Sequence, residues 1–513
     1  MNKHNNTNLG MATFELLISL ALIIVLITSI LPVIAGQQNI LVGSITNQEA
    51  LYKARDLLLS IVSDSKNNFD SVESIPLVID GVYTKSLNVD DISLFEKKIT
   101  SQIVWNNGLS KVELVTLITN PSAVILSNTC SYSIAGDWSQ PQKRVYELGN
   151  DILRETDNDF KITSLKIFDK KLFITSNNVS MNNDSTFFIQ DIANPNITPL
   201  SLGHFDNSPN ISEGLNDVFI ADKNYAFVAN AYDSSSGDCI EDYNCAQLQV
   251  IDISNSLGPY IVRNFKIDSR ATSGNLANGR SLFYKNGIVF IGLSNATNGE
   301  ELFLIDVGAV SGSPIKPVLM SGIEVGSGVN DIYVKGHYLY IASGSDSELV
   351  VFDISNPYSP EQVGDFNALA GNANNGNGKS IKIMGDNLYL GRTLLNGNEF
   401  YILDNNNPES LSDLGSENIQ NGLNNTSVNS IIIKDYLAFL ATNEDLKILR
   451  VDNPSSILEY APPIGFLDES VNYHGVDSDC QGDHIFIGSY DDDGKSYITV
   501  INATEWKIKK DLH

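Results

Sequence analysis

A repeat running through most of the chain limits its fold more than any other feature. The clearest copy, VNDIYVKGHYLYIASGSDSELVVFDISNPYSPEQVGDF, runs from Val329 to Phe366. It parses into four short strands (VNDIYV, YLYIAS, LVVFDI and EQVGDF) separated by turn residues. Looser copies precede it: ITSLKIFDKKLFITSN with TFFIQDIANP, LNDVFIADKNYAFVANA with LQVIDISNS, and GRSLFYKNGIVFIGLS with LFLIDVG. Others follow it: KSIKIMGDNLYLGRT with FYILDNNNP, VNSIIIKDYLAFLATN with LKILRVDNP, and YHGVDSDCQGDHIFIGSY with YITVINA. An aspartate ends the third strand at Asp191, Asp252, Asp306, Asp353 and Asp404; Arg450 and Asn502 take its place in the last two copies. About seven copies at a mean spacing of about 50 residues predict a seven-bladed β-propeller. It should occupy residues 145–513, closed by the strand near RVYEL or by the tail WKIKKDL. Radial closure leaves few bare sheet edges, whereas the coils of a β-helix, the alternative, are shorter.

The segment VFDISNP, from Val351 to Pro357, resembles the LVIVD-type propeller repeats of bacterial surface proteins. Neither a WD40 signature nor a kelch glycine pair is present. The aspartate before Asn-Pro should tie a turn through side-chain to backbone hydrogen bonds, and the apolar strand positions should fill blade cores.

The chain opens MNKHNNTNLG, followed by MATFELLISLALIIVLITSILPVIAG. Leu16 to Gly36 carries no charge, which is long enough for a membrane-spanning helix, and Glu15 stands at its edge. This opening is similar to a type IV prepilin signal, with a polar leader over residues 1–10 that ends in Gly10. The resemblance implies that a prepilin peptidase cleaves after Gly10 and methylates the amine of Met11. It implies that Glu15 offers a counter-charge to a neighbouring subunit in a filament, and that Pro32 kinks the helix. Met11 departs from the phenylalanine usual at that place. An uncleaved signal anchor is the plainer reading of the same residues. Leu51, Ala54, Leu58 and Ile61 recur at helical spacing, so one long pilin-type helix is expected over residues 11–66. A small β-rich head, similar to that of minor pilins, is expected over 67–140, with a hairpin turning at Asn106-Asn107-Gly108. The fold class expected is thus mainly β, led by a long helix.

A net charge of −28 argues against nucleic acid as a partner. Of the four cysteines, Cys239 and Cys245 bracket CIEDYNC and could close a local disulfide, while a pairing of Cys130 with Cys480 stays open. No CxxC pair exists, and none of the six histidines lies at metal-ligand spacing from another. No GxSxG elbow occurs, and the NNGNGKS turn fails as a phosphate loop because Ala373 stands where its first glycine belongs. Calcium is the one cofactor weighed, on Asp491 and Asp493 or on Asp238 and Asp242; Val500 falls where an EF-hand needs an acid. No residue is read as catalytic.

These features together lead to a minor, tip-located pilin-like subunit displaying a propeller for adhesion or for ligand or protein binding. Its partners would be the prepilin peptidase, other pilins or pseudopilins through the helix, and an unidentified extracellular ligand or protein on the propeller. It would pass once through the inner membrane before assembly, then stand at the pilus or cell surface with its head outside the cytoplasm. The alternatives are a pseudopilin of a type II-like secretion system recognising cargo, and a simple membrane-anchored extracellular binding propeller. The segments SNNVSMNND and NAYDSSSGDCIEDYNCAQ are the expected contact loops.

Overall fold

The computed structural model describes residues 46–62, 65, 72–93, 96–106, 108–119, 130, 134, 136–149, 160–178, 186–205, 214–231, 246–267, 277–297, 299–308, 315–344, 347–368, 376–393, 397–419, 426–465 and 473–504. The chain divides into two compact units, Met1–Pro121 and Ser122–His513.

In the first unit a helix over residues 46–62 packs on a four-stranded antiparallel meander, β1 (Ile75–Asp80), β2 (Tyr83–Ser93), β3 (Glu96–Trp105) and β4 (Ser110–Thr119). Ala50, Ala54 and Leu58 recur every four residues, so they share one face and bury against Tyr83, Leu87, Ile99, Ile103 and Ile118. Lys53 reinforces the contact through Asp80 at 3.0 Å. The β3–β4 turn forms where the sequence placed it, with Asn106 and Gly108 both at positive φ.

The expected long helix over 11–66 is corrected here. The helix described covers 46–62, about 25 Å at the standard rise, and it is amphipathic. Leu51, Tyr52 and Leu59 are exposed beside Lys53, Arg55 and Asp56, so the apolar stripe serves one sheet face and no more. No helix among the described residues is long and apolar enough to cross a membrane. The structure therefore contradicts the pilin-type helix in the fold class, and the single-pass inner-membrane and pilus placement built on it. Gly10, Met11, Glu15 and Pro32 lie outside the described residues.

In the second unit the repeats become seven four-stranded antiparallel sheets. The first strands of the blades are β6 (Phe160–Phe168), β10 (Leu215–Ile220), β14 (Gly279–Lys285), β18 (Val329–Lys335), β22 (Gly378–Met384), β26 (Val428–Lys434) and β30 (Tyr473–Gln481). Each adjoins the next and β30 returns to β6, which closes a ring. Every seam holds its own apolar cluster. Blades 1 and 2 share one around Phe173, Phe187, Val218 and Val228, and blades 7 and 1 share another around Leu165, Phe188, Phe486 and Val500. At about 25 cal/mol per Å² of apolar surface, seams of this kind are the main force holding blade to blade.

Blade 7 is completed from the other end of the unit. Its outer strand is β5 (Asp137–Glu147), which pairs antiparallel with β32 (Ser496–Thr504) from Tyr497↔Glu147 to Thr504↔Asp137. Of the two closures expected, the one near RVYEL is used; the tail at 505–513 lies outside the described residues. Trp138 on β5 is fully buried against Phe439 of blade 6, ring centroids 4.8 Å apart. A disulfide joins Cys130, just before β5, to Cys480 in the first strand of blade 7.

Candidate functional site at the propeller axis

The first strand of each blade pairs on one side only, so its other edge faces the ring axis with unpaired backbone groups. A β-bulge interrupts all seven of these strands at the same place, at residues 163, 216, 280, 330, 379, 429 and 476. The residues just after the bulges are Ser164, Asp217, Ser281, Asp331, Ser380, Ser430 and Asp477. All seven are serine or aspartate.

Their hydrogen bonds explain the restriction. Asp217 accepts from the amides of Val218 (2.8 Å) in its own blade and Leu282 (2.7 Å) in the next. Asp331 does the same with Ile332 (2.8 Å) and Ile381 (2.7 Å), and Asp477 with Ser478 (2.8 Å) and Leu165 (3.1 Å). The serines donate instead, Ser281 to the carbonyl of Val329 (3.2 Å) and Ser380 to that of Val428 (2.9 Å). A belt of side chains thereby satisfies edge groups that no fifth strand covers.

Two residues further along each strand stand Lys166, Phe219, Phe283, Tyr333, Lys382, Ile432 and Asp479. Phe219, Phe283 and Tyr333 form an arc with centroids 5.3 and 5.4 Å apart. Beside it, in blades 1 and 7, Lys166 donates to Asp477 at 2.8 Å, and Asp479 accepts from the amide of Ile167 at 2.7 Å. Burial alone would lower the Lys166 ammonium, but the carboxylates of Asp477, Asp217 and Asp479 outweigh it and raise its pKa. Asp477, burial notwithstanding, is held below the usual range by Lys166. Burial pushes Asp217 up to about 6 and Asp331 up to about 7.

The two ends of the ring differ. At one end lie the turns between first and second strands and between third and fourth. There the aspartates foreseen as turn ties act as such: Asp191, Asp252, Asp306, Asp353 and Asp404 each accept from the amide two residues on, at 2.7 to 2.9 Å. Arg450 substitutes an ion pair with Asp452. At the other end lie the connections between second and third strands and those between blades. These vary widely in length, from 443–444 in blade 6 to 231–247 in blade 2.

Of the sequence-predicted site residues, Asp491 is buried and engaged, accepting from Tyr497 Oη and the Lys495 amide, each at 2.9 Å. Asp493 is exposed beside it. Among the described residues no group of three or more His, Cys, Asp or Glu could hold a metal ion. Asp238, Asp242, Cys239 and Cys245 lie outside the described residues. The axial belt was missed, as was a second set: Gln247, Glu301, Glu348 and Glu399. Each precedes its blade's third strand and accepts from the amide of Ile267, Val325, Ala368 or Ile419, pinning the chain where it leaves the fourth strand. Glu348 also meets Arg392 in an ion pair with both side chains fully buried. Their fixed place one residue before the third strand, in four consecutive copies, was the available signal.

A family model described as LVIVD repeat matches residues 326–368, which is blade 4. Several solved structures are similar. A protein from Lactobacillus plantarum is 9% identical, covering 70% of this chain and 91% of that one, with a TM-score of 0.43. A candidate 6-phosphogluconolactonase from Bacteroides fragilis is 11% identical, covering 76% and 97%, with a TM-score of 0.43. The extracellular domain of a candidate one-component system from B. thetaiotaomicron is 11% identical, covering 70% and 40%, with a TM-score of 0.42. No curated protein matches the chain.

Proposed function

We propose that this chain is a binding protein: a propeller that engages a ligand or protein partner through the end carrying its inter-blade connections. The observation that carries this reading is the contrast between the two ends. One is standardised by the same aspartate turn in five blades, while the other holds the long and unequal connections. Binding residues gather on variable loops positioned by a rigid scaffold. The axial charges support a binding rather than a catalytic role, since Asp217, Asp331, Asp477 and Asp479 all accept backbone amides and act as clasps.

The test replaces residues 232–245 with a short Gly-Ser linker, and in a second variant residues 179–185. Wild type and variants are then probed on immobilised glycan and peptide arrays. The wild type should retain a defined subset of spots, and at least one variant should lose them at an unchanged melting temperature. Variants that melt normally and bind as the wild type does would place the contact elsewhere and refute this assignment.

A further inference from the structure

The seven bulged residues lie near the start of each first strand, at the end of the ring that carries the inter-blade connections. They are Thr163, Asn216, Arg280, Asn330, Lys379, Asn429 and Val476. In a chain with 61 acidic and 33 basic side chains, this ring contains no acid and two cations. Three of its members are fixed by bonds to the next blade: Asn216 donates to the carbonyl of Gly279 (2.7 Å), Asn330 to Gly378 (2.6 Å) and Asn429 to Gly475 (2.6 Å). Arg280 and Lys379 have no such bond and no ion pair among the described residues. They occupy equivalent places in blades 3 and 5, with Asn330 of blade 4 between them.

The guanidinium of Arg280 reaches toward blade 4, which separates it from Lys379. A Cβ built on Gly328, at the entry to blade 4, would stand 2.9 Å from Arg280 Nη1, so glycine is what lets the side chain lie there. Arg280 is exposed to solvent and Lys379 is half-buried. Two cations at equivalent bulge positions around one axis, with no acid in the ring, form an arrangement that an entering anion relieves. In keeping with this, burial lowers the pKa of Lys379, and the charge of Arg280 lowers it further.

We propose that Arg280 and Lys379 form a receptor for an oxyanion at the mouth of the propeller axis. A carboxylate, sulfate or phosphate group on a ligand would accept from the guanidinium fork and from the ammonium. The ring of bonded asparagines would hold the two cations in place. The site lies at the end assigned above to binding, but it stands on the bulge ring alone and does not rest on that assignment.

The test is calorimetric titration of the full chain with sodium sulfate, inorganic phosphate and sodium acetate, against sodium chloride at matched ionic strength. Wild type should bind at least one oxyanion with a saturable heat, acetate against sulfate telling a carboxylate from a tetrahedral group. Arg280→Gln with Lys379→Gln should weaken that binding about tenfold or more, the loss of two charge-assisted contacts. Without added anion, the double variant should melt no lower than the wild type, because a repulsive pair has been removed. No saturable heat in the wild type would overturn the proposal. So would equal binding by the double variant, or a lower melting temperature for it, which would make the two cations structural. Anion binding that survives the loop replacements while array binding is lost keeps this site; loop-dependent array binding in a wild type that gives no saturable anion heat keeps the loops and sinks the site.

Discussion

Replacing Asp331 with asparagine should turn a pH-dependent clasp into a pH-independent one. Asp331 accepts from two amides, Ile332 in its own blade and Ile381 in the next, and burial raises its pKa from 3.8 to about 7. Asp217 and Lys166 are the charged groups acting on it, the first raising and the second lowering its pKa. A carboxyl group whose pKa is raised on folding lends stability that is fully present below its unfolded value. That stability is lost as pH rises through the folded value. The wild type should therefore lose stability between about pH 4 and pH 7, by roughly 4 kcal/mol at most from this group. Asparagine cannot ionise, so the variant lacks this slope. Its carboxamide keeps one acceptor but presents a donor to the second amide, a mismatch worth about 1–3 kcal/mol at every pH. The variant should thus be less stable at pH 4.5 and equal to or more stable than the wild type at pH 8. Urea unfolding followed by tryptophan fluorescence, at half-unit steps from pH 4 to 8, measures this crossing. A constant difference between the two proteins over that range would refute the argument, since Asp331 would then not titrate there.

Two further outcomes follow from buried contacts. Cys130→Ser with Cys480→Ser opens a bridge between residues 350 apart, for which the chain-entropy relation gives a ceiling of about 6 kcal/mol; a loss of about 3–4 kcal/mol is expected. The wild type in dithiothreitol should match the double variant, and an unchanged unfolding midpoint on reduction would contradict this. Glu348→Ala strands the Arg392 guanidinium, which is otherwise held by Glu348 and the carbonyl of Asn398, and should cost about 3–5 kcal/mol. Glu348→Gln with Arg392→Met, which keeps an acceptor for the Ala368 amide, should recover most of that loss in thermal denaturation; failure to do so would mean that the pair contributes more than it costs to desolvate.

The propeller was legible because its signals are local. Alternating apolar residues, paired turn residues and an aspartate at a fixed place recur within each copy, so each copy could be read alone. The axial belt is not local. Ser164, Asp217 and Asp477 meet only when strands far apart in sequence close a ring in one register, and serine or aspartate in a strand reads by itself as solvent-facing. The same holds for the bulge, whose extra residue cannot be counted until the partner strand is known. Among cysteines, nearness in sequence points to Cys239 with Cys245, both outside the described residues; the bridge described, Cys130 to Cys480, depends on the ring, because β5 completes blade 7. At the other end of the chain, helical spacing shows that a helix forms but not where it stops or which face it buries. The described helix buries Ala50 rather than Leu51, a rotation that follows from packing every fourth residue on a sheet.

The position of Cys130 changes how this protein would respond to mechanical load. The closing strand enters blade 7 at Asp137, opposite Thr504 where the blade's last pairing ends, so tension between the two termini would peel that ladder open one hydrogen bond at a time, the weakest loading geometry for a sheet. Traction arriving through the first unit reaches Cys130 before it reaches Asp137. The covalent bridge passes it directly to Cys480 on the innermost strand and leaves the pairing of β5 slack. With the bridge intact the ring is pulled from its hub; with the bridge reduced it is pulled from its seam.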